Sequence, residues 1–276
     1  MTRRILLSVT LAALSLACHV RPRLMDDCPH RADARLVAPV PIALALNTIA
    51  GGEPFAQGST NRSQSGVQYR VSKFRYYLSE ATLIDTSGAA IEAPLADAGG
   101  KRLAYGVALI DYANPESQKL SLLAPAGTYK ALNFTVGVPN TCPGGDEQLN
   151  HGDASARVAP LDVDSDMYWS WNPNYTFLKI EGQALVGGAW KPFFFHVGED
   201  PRRAKLHLHV PLNVTPGQRA QVNLIVDVNR LFVTPAAEDR PALDAGGSHG
   251  GPVTDQMAEN IARSGFFTVV GNREQP

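Results

Sequence analysis

Short runs of aromatic and β-branched residues, each bounded by Gly, Pro, Asn or Asp, recur along most of the chain and restrict its fold more than any other feature. Such runs are typical of strands that end in tight turns. Helical periodicity is weak except over Asp255–Phe267, where Met257, Ile261 and Phe267 line one face and Thr254 is a candidate cap. The sequence therefore predicts a mostly β protein, an antiparallel β-sandwich or open barrel with long loops and a short C-terminal helix. The predicted strands are Pro41–Thr48, Tyr69–Ile84, Leu103–Tyr112, Gly127–Val138, Met167–Glu181, Trp190–Val197, Ala204–Val214 and Gln221–Phe232.

Two stretches rich in small and polar residues, Gly51–Gly66 and Ala236–Pro252, are predicted to be loops, and the second is predicted to be mobile. Residues 18–38 are polar and irregular, which indicates a flexible arm. One β-rich domain is predicted over residues 39–276, since sandwiches and barrels of this size are common without subdivision.

The formal net charge is −1, so the overall charge does not predict nucleic acid or acidic lipid as a partner.

Residues 1–17 have the pattern of an export signal. Arg3 and Arg4 precede a weakly polar to apolar run, Ile5–Ala17, which is shorter than the roughly 20 apolar residues that a membrane-spanning helix needs. Ser15-Leu16-Ala17 suits cleavage at small residues, whereas Ala17-Cys18 is typical of a lipoprotein, so plain secretion and lipidation of Cys18 are alternatives. The twin arginine also permits export in a folded state. We therefore predict a periplasmic protein, free or lipid-anchored.

The chain has three cysteines. If Cys18 is lipidated or removed with the signal, Cys28 and Cys142 remain as candidates for a disulfide in an oxidising compartment. Two free thiols are the alternative, because the sequence does not show whether their Cα atoms lie close enough for a bond.

Histidines are the candidate metal ligands of this sequence. Alternation along one predicted strand places His207 and His209 on the same face, close enough to share an ion, although two solvated histidines on an exposed sheet would show the same pattern. His196 ends a strand with Phe194 on its own face, and His151 lies in a polar loop. Neutral imidazole is a common ligand of copper and zinc, so metal binding and incidental surface histidines are alternatives.

The segment Met167–Gly182 is the most unusual in the chain. Strand geometry would place Trp169 and Trp171 on one side of it. Tryptophans bury large areas and dominate β cores, so packing explains one of them. Two neighbouring indoles beside polar turn residues also resemble a site.

Signatures of enzymes are weak in the sequence. It has no nucleophile elbow, no phosphate-binding glycine loop and no zinc-protease helix motif. Asp162, Asp164 and Asp166 alternate as in a calcium loop, but the required glycine and terminal glutamate are missing, which favours a solvated acidic turn. We therefore predict no enzymatic activity.

Several segments, in a fixed order that spans most of the chain, together resemble one known family. They are Val71-Ser72-Lys73-Phe74-Arg75-Tyr76-Tyr77-Leu78-Ser79, Gly137-Val138-Pro139 leading to Asn150-His151, Met167–Gly182 with its Trp-Ser-Trp core, Phe195-His196-Val197-Gly198, and Val226-Asp227-Val228-Asn229-Arg230-Leu231-Phe232. The pattern is similar to the MbnP-like family, the methanobactin-associated periplasmic copper-binding proteins. The Trp-Ser-Trp segment followed by His-Val-Gly is the most specific part of the match.

The resemblance implies a β-rich periplasmic protein that binds copper, as Cu(I) or Cu(II). It also implies a di-haem partner of the MauG type, in the cytochrome c peroxidase family, which in characterised relatives oxidises a tryptophan to kynurenine near the metal. Carried over to this chain, Trp169 is the preferred candidate for oxidation and Trp171 the second. Many relatives have a four-cysteine pattern that this chain lacks. Its disulfide cross-links and its metal site are therefore expected to differ from those of the relatives.

The same resemblance makes His151 and His196 candidate copper ligands, to which His207 and His209 are added on strand geometry alone. The leading hypothesis is a non-catalytic protein that stores, delivers or scavenges copper. A cell-envelope binding or scaffold module without metal is the alternative from another class. A third possibility is a protein that serves chiefly as the substrate of its haem partner.

Overall fold

The computed structural model describes residues 38–141, 148–155, 157–172, 174–233, 243, 246–263 and 265–270. Strands make up most of this part of the chain, with short 3-10 helices and one α-helix. The strands are β1 (Val40–Ala50), β2 (Glu53–Pro54), β3 (Thr60–Arg62), β4 (Gln68–Asp85), β5 (Ala90–Glu92), β6 (Leu95–Asp97), β7 (Ala108–Asp111), β8 (Leu120–Ala124), β9 (Gly127–Val136), β10 (Tyr168–Trp169), β11 (Asn174–Val186), β12 (Ala189–Gly198), β13 (Ala204–Val214), β14 (Ala220–Asp227), β15 (Gly247–Ser248) and β16 (Phe267–Val269). The α-helix, α1, is Pro252–Arg263, and the 3-10 helices are Ala104–Gly106, Pro115–Gln118, Val163–Ser165, Asp200–Arg202 and Val228–Phe232.

The strands form two sheets that are sandwich-like, which confirms the predicted fold class. The larger sheet has the order β13-β9-β4-β11-β12-β15, with β3, β5 and β7 paired to β4 and β10 paired to β11. The smaller has the order β16-β14-β1-β8-β6, with β2 paired to β1. Two ladders, β1 with β14 and β12 with β15, are parallel, so the sheets are mixed and not purely antiparallel as predicted.

The core lies between the two sheets because strands of each turn alternate side chains inward. Burial alternates along β13 and β14, as the period of two requires. The helix α1 adds Met257 and Ile261 to this core. The core includes Phe74, Tyr76, Ile180, Phe193 and Phe195 from the larger sheet and Ile42, Leu44, Leu122, Val222 and Leu224 from the smaller.

A second apolar cluster packs on the outer face of the larger sheet. Tyr175 and Phe177 of β11 contribute to it, together with Leu149, Leu161 and Met167 from the connection between β9 and β11. This cluster holds that connection against the sheet, and the connection ends in β10, which carries Trp169. The position of Trp169 therefore depends on packing outside the main core.

Several predicted elements differ from the structure. The predicted strand Leu103–Tyr112 contains the 3-10 helix Ala104–Gly106 before β7, and the predicted loop Gly51–Gly66 contains β2 and β3. The helix begins at Pro252 and ends at Arg263, and Phe267 lies in strand β16, because the chain turns at Gly265. Thr254 lies inside the first turn and donates its hydroxyl to the carbonyl of Gly251, so the predicted cap is wrong. Proline is well suited to the first helical position, where no N–H is needed.

The predicted strand through both tryptophans is interrupted. β10 ends at Trp169, and Trp171 lies in the turn before β11. The predicted strand Gln221–Phe232 likewise ends at Asp227, whose side chain accepts a hydrogen bond from the Asn229 N–H and so begins a 3-10 helix. Local side-chain capping competes with the ladder at such places.

Several predictions fall outside the described residues. They are the signal segment, the arm, lipidation of Cys18, the bond between Cys28 and Cys142, and most of the loop Ala236–Pro252. The end of that loop is described and contains β15, so this part of the prediction is wrong. No helix in the described ranges is both long and apolar enough to cross a membrane.

Gly182 is predicted to be essential for the contact of β11 with β4. A Cβ there would overlap the carbonyl oxygen of Arg70 and lie 2.8 Å from the ring of Phe193. We expect Gly182→Ala to lower the free energy of unfolding by about 1–3 kcal/mol, the usual cost of overpacking. Urea unfolding measures this, with Gly127→Ala as control, since its Cβ would approach only Tyr129, at 3.5 Å or more. Equal stability of the two variants would contradict the prediction.

Candidate metal centre

Two histidines from distant parts of the sequence meet on the outer face of the larger sheet. The Nδ1 atoms of His196 and His249 lie 3.0 Å apart, and their ring centroids are separated by 4.6 Å. His196 is in β12 and buried, with 9% exposure, whereas His249 follows β15 and is exposed. The pair therefore reaches from the interior of the protein to its surface.

The short strand β15 brings His249 to this position. Gly247 and Ser248 pair in parallel with Phe194 and Phe195, and the N–H of Phe194 donates to the carbonyl of Gly246 over 2.9 Å. The ring of Phe194 lies against Gly247, where a Cβ would overlap it. A glycine is required there because the ring approaches the backbone so closely.

Trp169 forms one wall of the site. Its indole packs on Gly198, where a Cβ would lie 2.7 Å from the ring, and it is 6% exposed. Its Nε1 atom is buried and has no hydrogen-bond partner among the described residues. Buried indole N–H groups usually have a partner, so this atom distinguishes Trp169 from a residue that only packs.

Aromatic rings surround His249 on several sides. The centroids of Trp169 and Trp171 lie 5.9 Å and 6.0 Å from its ring, and that of Phe194 lies 5.2 Å away. The two indoles are 5.4 Å apart although Trp171 lies in a turn. Trp171 is 67% exposed, so one indole is at the surface and the other beneath it.

His196 is held on its other side by Glu181 of β11. The His196 Nε2 and Glu181 Oε1 atoms are 2.8 Å apart. Burial lowers the pKa of His196 to about 4, and Lys179 and His249 act in the same direction, while the bond to Glu181 opposes them. The imidazole is therefore neutral near pH 7, which is the form that binds metals.

Comparison with known proteins places the chain in a family. The family model MbnP matches residues 39–245, well over half of the chain. The chain belongs to the MbnP family. Among solved structures, MbnP from Methylosinus trichosporium is similar, with a TM-score of 0.54, 19% sequence identity, and coverage of 79% of this chain and 83% of that chain. At this identity the likeness shows the shared fold. A comparison with curated protein sequences gave no match.

The other predicted ligands of this MbnP-family chain lie apart from the histidine pair. His151 Nε2 is 3.1 Å from Asp200 Oδ2, and Asn140 and Asn150 also donate to that carboxylate. His151 nevertheless lies near Trp169, since both pair with Asn174 through backbone bridges.

His207 and His209 share an exposed face, as alternation predicted. They lie on β13, which is separated from β12 by β9, β4 and β11. His207 Nδ1 is 2.6 Å from Asn133 Oδ1. The structure therefore brings together His196 and Trp169 from the predicted set, with Trp171 beside them, and does not bring His207 or His209 to them.

His249 and Glu181 are not among the site residues predicted from the sequence. His249 lies in a glycine-rich stretch with no periodicity, so no local pattern could orient it. Glu181 follows Lys179 by two positions in a strand, a pattern shared by many solvated strand faces. The signal that could have found Glu181 is the pairing of β11 with β12, which puts it diagonally across from His196.

The donor set suits a transition metal that accepts imidazole ligands. The usual metal–imidazole distance is about 2.0 Å. Two nitrogens that bind one ion at neighbouring positions are then roughly 3 Å apart, close to the 3.0 Å between the Nδ1 atoms of His196 and His249. Within the described ranges, no group of three or more His, Cys, Asp and Glu side chains converges on one point. Glu181 faces the opposite edge of the His196 ring, and an indole N–H has no lone pair to offer a metal, so further ligands would have to come from outside this group of side chains, for example from solvent.

The buried neutral state of His196 predicts a pH-dependent stability. In the unfolded chain His196 takes up a proton below a pH of about 6.5, whereas in the folded chain it does so only near 4. Because the unfolded state binds more protons in this window, the free energy of unfolding should fall as the pH falls through it, by at most about 3 kcal/mol. Above the window the ring is neutral in both states and contributes nothing. Urea unfolding from pH 7 to 4.5 should show a weaker dependence in His196→Gln than in the wild type; equal slopes would refute the assignment.

Proposed function

We propose that this MbnP-family chain is a periplasmic, non-catalytic protein that binds copper and stores, delivers or scavenges it. His196 and His249 are the proposed ligand pair. The observation that carries the proposal is the approach of their Nδ1 atoms to 3.0 Å beside a buried indole whose Nε1 has no partner among the described residues. Family membership supports copper as the cargo, and the export signal predicted for residues 1–17 supports the compartment.

The position of the pair suits uptake and release of an ion. His196 is buried and fixed by its strand and by Glu181, whereas His249 is exposed and lies on a short connection. An ion held between them would have one ligand on the rigid sheet and one at the surface. Exchange with another molecule could then begin at His249 while His196 retains the ion.

Trp169 is the proposed site of oxidation to kynurenine by a di-haem partner of the MauG type. Conversion needs dioxygen as the oxidant: one O2 cleaves the indole C2–C3 bond and leaves one oxygen atom on each of the two carbons, and water then releases C2 as formate, which leaves Nε1 as a free aromatic amine. In Trp169 that nitrogen is buried and lacks a hydrogen-bond partner within the described structure, and the centroid of the indole lies 5.9 Å from that of the His249 ring. The product would add a nitrogen donor to the two imidazoles, and Trp169 is preferred to Trp171 because its burial fixes the ring.

Copper titration tests the ligand pair. We expect the purified protein to bind one copper ion per chain, and His196→Gln and His249→Ala each to weaken binding by more than the roughly 10- to 100-fold that loss of an outer partner costs. The double variant His207→Ala/His209→Ala is the control and should bind as the wild type does. If that control loses the copper while His249→Ala keeps it, the pair is wrong. A wild-type protein free of copper after expression in copper-replete medium would favour a scaffold instead.

Peptide mapping by mass spectrometry tests the modification. In protein from cells that contain the di-haem partner, we expect the peptide with Trp169 to gain one oxygen atom and lose one carbon atom. Trp171→Phe should keep this change and Trp169→Phe should abolish it. Modification at Trp171 alone, or unmodified tryptophans throughout, would contradict the assignment.

A further inference from the structure

Glu181 occupies a position from which it can control which nitrogen of His196 is available. In the ladder between β11 and β12, Lys179 pairs with His196 and Glu181 with Phe194. Residues two apart on a strand share a face, so Glu181 and His196 are diagonal neighbours on the outer side of the sheet. Their side chains meet at 2.8 Å between Oε1 and Nε2.

The proton positions follow from the chemistry of the two partners. A carboxylate accepts hydrogen bonds and does not donate them, so the His196 Nε2 atom carries the hydrogen. A neutral imidazole has one N–H, which leaves a lone pair on Nδ1. That lone pair faces the Nδ1 of His249 at 3.0 Å, and in the metal-free pair it accepts the His249 N–H.

Glu181 is itself held in place by charges from a neighbouring strand and loop. Lys73 Nζ of β4 lies 3.8 Å from Glu181 Oε2 and 2.6 Å from Asp166 Oδ2. Asp166 also accepts a hydrogen bond from Lys179 at 3.0 Å. One carboxylate oxygen thus faces a cation while the other faces His196, so the carboxylate has little freedom to turn away.

We propose that Glu181 is a positioning residue that fixes His196 in the Nε2–H tautomer and so directs the Nδ1 lone pair at His249. Outer-shell carboxylates that accept the second N–H of a ligand histidine set its tautomer and ring orientation in this way. The predicted effect on copper affinity rests on the proposed function, whereas the predicted tautomer of the metal-free protein does not.

Nitrogen NMR of the metal-free protein tests the tautomer directly. Long-range 1H–15N correlations at pH 7 should show His196 with its hydrogen on Nε2 in the wild type and in Glu181→Gln, whose amide oxygen still accepts. Glu181→Ala should lose this preference. Gln183→Ala is the matched control, because it lies two residues further on the same strand face, is exposed and should leave His196 unchanged. A wild-type ring protonated on Nδ1, or an unchanged tautomer in Glu181→Ala, would overturn the inference.

Copper titration of the same variants tests the consequence. Glu181→Ala should bind copper roughly 10- to 100-fold more weakly than the wild type, Glu181→Gln should lose less, and Gln183→Ala should lose nothing. If the wild type binds no copper, the proposed function fails while the NMR result still decides the role of Glu181. If copper binds and Glu181→Ala binds it with wild-type affinity, the positioning role is refuted and the proposed function stands.

Discussion

The hydrogen-bonded ladder between β11 and β12 is the constraint on which the candidate metal centre depends. It places His196 beside Lys179 and diagonally across from Glu181. It also leaves the outer edge of β12 unpaired until Gly247 and Ser248 of β15 cover part of it. An edge strand offers free N–H and C=O groups to any extended segment that can approach, and here the segment that approaches carries His249.

Packing on the outer face of the sheet completes the site. Tyr175 and Phe177 bury the connection that leads to Trp169, and the small residue Gly198 lets the indole lie on the strand. Arg202 binds Asp255 and Glu199 at 2.6 Å each, which ties the start of α1 to the segment after β12. The chain before His249 is thus attached to β12 and the chain after it to the segment that follows β12, which restricts the position of the His249 ring.

The charged groups beside the site link the larger sheet to the loop before β10. Asp166 has a left-handed backbone conformation and receives hydrogen bonds from Lys73 and Lys179 of two adjacent strands. These contacts are partly exposed, so each contributes modestly to stability. Their common effect is geometric, because they hold the loop before β10 and the carboxylate of Glu181 in one arrangement.

Local sequence determined the strands and the character of the fold. Period-two burial in β13 matches the predicted strand residue for residue, and the exposed face of His207 and His209 follows from it, because alternation is a property of the extended backbone itself. The family pattern likewise singled out His196 and Trp169, together with His151 and Trp171. Only the tertiary structure decided that His249, from a glycine-rich stretch, lies beside His196 and Trp169 and that His207 and His209 do not. Strand order and edge pairing are set by contacts between distant segments, and no local pattern encodes those contacts.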